Sequence, residues 1–252
     1  MNKLISIVNA TWNAEATLRT CLDSIVPQLT DEVELVIIDG GSKDATNSII
    51  KSYGDKIAYT ISEKDKGIYD AWNKGIKVAQ GKWIAFVGAD DMLYPDALKK
   101  YLTVLKETEC IDSYDYICAQ NDFINEEGKV MRVIGSPATW SAMKKKNAIA
   151  HVASLHNKKN LFETIGFYNL AFRISADYEL LVRKKDRLRY LYLPYHIAKM
   201  KIGGMSFSIA ALNEVFLIRK KHNTVSPIMN IVLYLWQVFQ FKTFSFRKTI
   251  FK

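Results

Sequence analysis

An alternation running through the N-terminal part of the chain limits its fold more than any other feature. Short apolar, β-prone runs at 4–8, 34–38, 57–62 and 83–87 are separated by segments with helical spacing at 15–26, 45–53 and 69–79. Pro27 and Gly81 punctuate the ends of two of those helices. Strand and helix in turn at this period predict βαβ units, and so an α/β fold with a Rossmann-like, mostly parallel sheet flanked by helices. Ligands of such sheets sit in the crevice at the carboxyl ends of the strands. Polar clusters at 10–15, 39–44 and 88–91 fall at three of those ends. Stability alone does not account for three of them on one edge.

The sharpest cluster ends an apolar strand: Trp83-Ile84-Ala85-Phe86-Val87-Gly88-Ala89-Asp90-Asp91. Adjacent carboxylates repel unless a cation lies beside them, and oxygen ligands of this kind suit Mg2+ or Mn2+ in the service of phosphate groups. The competing reading is that Asp90 or Asp91 caps a helix starting near Tyr94-Pro95. In Asp39-Gly40-Gly41-Ser42-Lys43-Asp44 the glycines let the backbone turn tightly and approach a ligand at Gly41. Asp39 can accept hydrogen bonds from a base or ribose edge, whereas Asp44 is better read as a helix N-cap. In Thr11-Trp12-Asn13-Ala14-Glu15, Asn13 can cap the following helix while Thr11 and Glu15 face the crevice. The pattern is neither a P-loop nor GxGxxG.

Beyond residue 110 the alternation loosens. A strand at 114–119, a turn at 125–129 and a return strand at 130–134 are expected, then helices at 157–165 and 176–184 and short strands at 190–193 and 197–200. Cys21, Cys110 and Cys118 are scattered without CxxC spacing, which fits reduced thiols in a cytosolic setting. The first apolar run is too short for a signal peptide, so the working part is expected in the cytoplasm. The net charge of +9 is concentrated at one end: from Val215 to Lys252 there is no Asp or Glu, while Arg219, Lys220, Lys221, Lys242, Arg247, Lys248 and Lys252 are all positive. The apolar segment 228–241 inside this tail falls short of the roughly 20 residues that span a bilayer. Its lysine flanks suit an interfacial helix on anionic lipid. Packing on the domain, or on a second subunit in a homodimer, is the alternative, and nucleic acid is disfavoured because the bases flank a greasy segment.

Val8-Asn9-Ala10-Thr11-Trp12-Asn13, Ile37-Ile38-Asp39-Gly40-Gly41-Ser42-Lys43-Asp44-Ala45-Thr46 and Glu63-Lys64-Asp65-Lys66-Gly67-Ile68-Tyr69-Asp70-Ala71-Trp72-Asn73-Lys74-Gly75 resemble family 2 glycosyltransferases of the GT-A fold. Gly88-Ala89-Asp90-Asp91 falls where that family carries its DxD metal motif, with Ala89 in place of the first Asp. The resemblance covers about residues 3–205 with the motifs in order, and is nearest to bacterial enzymes of lipopolysaccharide, capsule or colanic-acid-type assembly.

The resemblance implies a nucleotide-sugar donor, in particular a UDP-sugar. Thr11, Asn13, Glu15 and Asp39 would surround uridine and ribose, and Lys66, Gly67 and Asn73 the ribose or diphosphate. Asp91 would hold Mn2+ or Mg2+, and Asp90 would touch the donor's ribose or sugar. Arg173-Ile174-Ser175-Ala176-Asp177-Tyr178-Glu179-Leu180 resembles the family's acidic motif, making Asp177 the base of an inverting transfer, with Glu179 second and an N-cap with Ser175 as the structural alternative. His151 would contact acceptor or diphosphate, although a lone His is often structural. Gly203-Gly204-Met205-Ser206 resembles a loop that closes over the donor. The expected organisation is a GT-A domain over 1–210, with a nucleotide-sugar half at 1–110 and an acceptor half at 111–210, and a helical, basic and apolar tail at 211–252. The acceptor would be a lipid-linked or other saccharide, reached from the inner face of the membrane. The alternatives are a non-catalytic nucleotide-sugar- or lipid-binding member of an assembly complex, and a sugar nucleotidyltransferase, for which the glycine-rich basic N-terminal loop is lacking.

Overall fold

A computed structural model of the chain describes residues 3–147, 150–152, 154–201 and 205–250, with side chains to 243. In chain order the elements are β1 (Ile5–Thr11), α1 (Leu18–Ile25), β2 (Val33–Asp39), α2 (Thr46–Ser52), β3 (Tyr59–Ser62), α3 (Ile68–Val78), β4 (Trp83–Gly88), β5 (Met92–Leu93) and α4 (Ala97–Glu107). They continue as β6 (Tyr116–Ile124), β7 (Val130–Ile134), α5 (Trp140–Met143), β8 (Ser154–Asn157), α6 (Ala176–Val182), β9 (Tyr190–Lys201), α7 (Ile209–His222) and α8 (Pro227–Ile250).

The strands form one sheet in the order β3-β2-β1-β4-β8-β6-β9-β5, with β7 beside β6. The pairs β1–β2, β1–β4, β2–β3 and β6–β9 are parallel. Antiparallel β8 joins β4 to β6, so β6 runs in the same direction as β4. The carboxyl ends of β1, β2, β4, β6 and β9 therefore share one edge.

Strands β1 and β2 are buried along their whole length, as expected of strands covered by helices on both faces. The pleat divides their side chains between two cores. Ile5, Ile7, Leu35 and Ile37 pack with Leu18, Leu22, Leu98 and Tyr101 from α1 and α4. Val8, Val36 and Ile38 pack with Trp72, Ile76, Tyr178 and Leu181 from α3 and α6. Helix α3 lies so close to β1 that a Cβ on Gly75 would sit 2.3 Å from Val8 Cγ1; glycine lets the helix backbone pack directly on the Val8 side chain.

The expected strands and helices of the first part are present, with differences that have local causes. Asn13 takes a left-handed conformation (φ 46°) and α1 starts only at Leu18, so Asn13 does not cap it. Neither Asp90 nor Asp91 caps α4: β5 intervenes to pair with β9, and the residue before α4 is Asp96. The two short strands expected at 190–193 and 197–200 are one strand, β9, which continues through Pro194. The register with β6 slips next to it, between Cys118 and Gln120, because proline offers no N–H to the ladder. The helix expected at 157–165 is a π-helix, Lys158–Glu163, and it follows the buried strand β8. The Gly203-Gly204 part of the expected donor loop lies outside the described residues.

Candidate active site

The donor-side expectations gather on the loops after β1 and β2, which are laced together by hydrogen bonds. Thr11 Oγ1 donates to Asp39 Oδ1 at 3.0 Å. The backbone N–H of Asn13 donates to Ser42 Oγ (2.8 Å), and that of Lys43 returns to Asn13 Oδ1 (2.9 Å). Glu15 is held in the same way: its N–H reaches Asp44 and its carboxylate accepts from Ala45 N–H. Asp44 also accepts from the N–H of Thr46, the first residue of α2, but the N-cap position is Ala45, so Asp44 stands one residue ahead of its expected place.

Asp39, fully buried, is the hub. Its two oxygens accept from Thr11, the N–H of Gly41 and Ser42, and the side chains of Ser42, Asn47 and Ser62. Burial works against its charge, yet the hydrogen bonds from Ser42, Ser62 and Thr11 hold the carboxyl below its ordinary range. Gly41, at φ 81°, turns the chain there. Asp39 thus shapes the cradle with nearly all of its own acceptor capacity, and Trp12, 68 % exposed on the rim, is the free surface. Sequence reading passed over Trp12, although a tryptophan stranded in a polar loop is itself a signal.

After β3, Gly67 N–H donates to Asp65 and Lys66 N–H to Asp70, leaving the Lys66 side chain exposed. Gly67 has φ 117°, a conformation disfavoured for other residues. Asn73, expected near the ribose or diphosphate, is hydrogen-bonded to the backbone of Tyr168. Its amide donates to the carbonyl of Tyr168 and accepts from the N–H of Tyr168, both at 3.0 Å.

At the end of β4, Asp91 is buried and Asp90 exposed. One oxygen of Asp91 accepts from Gly88 N–H at 2.9 Å. Burial, then the neighbouring charge of Asp90, pushes the Asp91 carboxyl up to about 7. A carboxylate so strained by burial and like charge is relieved by a cation, and this pair fits a divalent ion. Among the described residues no group of three or more His, Cys, Asp or Glu side chains forms a closed cage. One or two carboxylates completed by phosphate oxygens is an ordinary arrangement for Mg2+.

On the other side of β4 lies Asp177, near the start of α6. The hydroxyl of Tyr69, from α3, reaches its Oδ1 at 3.0 Å, and Tyr178 N–H donates to the same oxygen at 2.8 Å. Burial raises the Asp177 carboxyl to about 6, against these two hydrogen bonds. His151 Nδ1 lies 3.5 Å from Asp177 Oδ2, and its ring stacks on Trp72 at 4.4 Å and on Phe86 of β4 at 5.4 Å. Burial lowers His151 to about 3, so it is neutral. Both of its nitrogens lack hydrogen-bond partners among the described residues. A buried, neutral, unsatisfied imidazole beside a carboxylate can receive a ligand hydroxyl.

Ser175 does not cap α6 with its side chain. The N–H groups of Arg173, Ile174 and Ser175 instead donate to the Glu214 carboxylate of α7 at 2.7–2.9 Å. Glu179, the second candidate base, is committed elsewhere. It is 1 % exposed and bonded to Arg183, Lys221 and His222. Although burial favours its neutral form, these partners, Arg183 foremost, keep its carboxyl below the usual range.

The sheet order, with helices on both faces and the acidic residues gathered along one edge, is that of a GT-A glycosyltransferase fold. Residues 6–181 match the family described as Glycosyl transferase family 2, and the chain belongs to that family. The PGL/p-HBAD biosynthesis glycosyltransferase of Mycobacterium bovis (strain BCG / Pasteur 1173P2) is 34 % identical over 239 residues, spanning 91 % of this chain and 89 % of that protein. Among solved structures, mannosyltransferase PcManGT from Pyrobaculum calidifontis, in complex with GDP-Man and Mn2+, aligns with a TM-score of 0.66 at 16 % identity over 93 % of this chain and 70 % of that one. S. aureus TarS 1-349 in complex with UDP-GlcNAc aligns with a TM-score of 0.64 at 16 % identity, over 87 % of this chain and 65 % of that one. The chain spans 39 % of the longer TarS chain, at a TM-score of 0.64.

Proposed function

We propose that this glycosyltransferase moves a sugar from a nucleotide-sugar, specifically a UDP-sugar, to a hydroxyl of a lipid-linked saccharide, with inversion, in the assembly of a bacterial surface glycan. The observation that carries the reading is Asp177: a buried carboxylate with a carboxyl raised to about 6, oriented by Tyr69 and flanked by neutral His151. A base of that strength is ionised at neutral pH and close enough to it to accept a proton from an attacking hydroxyl. The hydroxyl then meets the anomeric carbon from the face opposite the nucleotide, through an oxocarbenium-like transition state. His151 orients the acceptor or diphosphate.

On the donor side, the cradle built on Asp39 by Thr11, Asn13, Glu15 and Gly41 takes uridine and ribose, with Lys66 and Gly67 towards the diphosphate and Asp90 at the ribose or sugar. Asp91 would hold Mn2+ or Mg2+, which when bound neutralises the charge growing on the leaving diphosphate. The donors named for TarS and PcManGT, UDP-GlcNAc and GDP-Man, support a nucleotide-sugar. In this reading residues 1–110 serve the donor and 111–210 the acceptor. The C-terminal segment keeps the enzyme at the inner face of the membrane, where a lipid-borne acceptor is found. Among the described residues no helix is long and apolar enough to cross a membrane.

The test is release of nucleoside diphosphate from a panel of nucleotide-sugars with Mn2+, for wild type, Asp91→Ala and Asp177→Ala. Release from one donor, lost in both variants, is the expected result. Donor binding without turnover, even with saccharide acceptors and unchanged by Asp177→Ala, sinks the reading.

A further inference from the structure

Helix α8 is held to the protein partly through polar side chains and leaves an apolar stripe outside. Its inward side carries Asn230, Tyr234 and Gln237. Asn230 accepts from Arg219 Nε at 2.7 Å and donates to the carbonyl of Phe216 at 3.1 Å. Tyr234 donates to Asn213 at 2.7 Å, and Gln237 joins Arg219 to the carbonyl of Lys145. The outward stripe is Ile228, Ile231, Val232, Leu235, Trp236 and Phe239, whose exposures run from 51 % to 77 %. A helix that meets only water shows the opposite arrangement, and a continuous apolar stripe of this size marks a surface that something covers.

Charge selects the occupant. The tail has no acid from Val215 to Lys252, and Lys220 and Lys242 are exposed. The fold then adds a cationic run that does not belong to the tail. The carbonyl of Lys144 accepts from Thr224 Oγ1 at 2.9 Å, and that of Lys145 accepts from Arg219 and from Gln237 on α8. This places Lys144-Lys145-Lys146 at the flank of the helix, against its Gln237 side, with Lys145 and Lys146 exposed. A second copy set against the stripe would oppose cations with cations and bring no tail carboxylate to pair with them. An anionic lipid leaflet satisfies both the stripe and the lysines. At 24 residues α8 is about 36 Å long, and it would lie in the plane of the interface.

We propose that the outer face of α8 and the Lys144-Lys145-Lys146 run form one composite surface that docks on an anionic lipid leaflet. The proposal rests on the membrane-contact part of the function proposed above and deepens it. The experiment is flotation of the full chain with phosphatidylcholine vesicles, with and without about one-third phosphatidylglycerol. It uses wild type, Leu235→Glu with Phe239→Glu, and Lys144→Gln with Lys145→Gln and Lys146→Gln. Solution mass, thermal melting and nucleoside diphosphate release are measured in parallel.

Wild type is expected to be monomeric and to float with the anionic vesicles only. Each variant set should lose roughly tenfold or more of its partitioning with unchanged melting. Failure of wild type to float, equal flotation with neutral vesicles, full flotation of the triple lysine variant, or a dimer abolished by Leu235→Glu with Phe239→Glu overturns the proposal. The lysine set decides the matter if the glutamate set fails to fold. Flotation without turnover of any donor overturns the transferase reading and leaves the lipid surface standing; turnover without flotation does the reverse.

Discussion

The hydroxyl of Tyr69 lies 3.0 Å from Asp177 Oδ1 and 2.8 Å from the carbonyl oxygen of Ile174. One proton serves two acceptors, so the phenol stabilises the ionised carboxylate without being spent on it. Asp177 is raised to about 6, first by burial, and the Tyr69 bond lowers it. With Asp177 as base, and Mn2+ at saturation to keep Asp91 ionised, kcat/KM should be flat above pH about 6 and fall about tenfold per pH unit below it, as the Asp177 carboxylate takes up its proton. In Tyr69→Phe the acid limb should move to higher pH. A pH profile of donor turnover checks this, and an unmoved limb would show that Tyr69 does not act on the base.

Asp91 should be the metal-dependent position. Asp91→Asn keeps the shape and removes the charge, and is expected to lower kcat roughly a thousandfold, the equivalent of several kcal/mol at the leaving diphosphate. Titration of Mn2+ against melting temperature gives an independent readout: a rise in wild type with nucleoside diphosphate present, and none in the variant. An equal rise in both would move the metal away from Asp91.

Much of this was legible in the sequence, and the rest was not for physical reasons. Continuous burial makes β1, β2 and β4 read as short, mostly apolar runs, and the acids after β4 and at the start of α6 stand inside recognisable local patterns. Strand β8 escaped because Ser154, His156 and Asn157 are polar yet buried; local composition argues for a loop and tertiary pairing with β4 and β6 overrides it. The contact between Tyr69 and Asp177 spans 108 residues of sequence, and no spacing rule announces it. The same holds for Asn73. The motif suggested a ligand contact, whereas its amide engages the backbone of Tyr168.

Asn73 gives a prediction that separates those roles. Asn73→Ala should destabilise the fold by about 1–3 kcal/mol, because it strands the N–H and carbonyl of Tyr168. The KM for donor should change little. A large KM effect with an unchanged melting temperature would return Asn73 to the ligand.

Glu214 links α7 to the segment that leads into the base. It accepts the N–H groups of Arg173, Ile174 and Ser175, immediately ahead of the helix that carries Asp177. At the C-terminal end of α7, Lys221 and His222 hold Glu179 in the first turn of α6. Helix α7 therefore grips the start of α6 on both sides of Asp177, and anything that displaces α7 also moves Asp177. Glu214→Ala leaves three backbone donors without their acceptor, at a cost of about 1–3 kcal/mol in stability. It should also lower kcat more than it raises the donor KM, since the donor loops lie on β1 and β2. Glu214→Gln keeps a single acceptor oxygen and should recover part of both losses. Equal loss of kcat in Glu214→Gln and Glu214→Ala, with both melting as wild type, would mean that Glu214 acts on the reaction directly rather than through the position of α6.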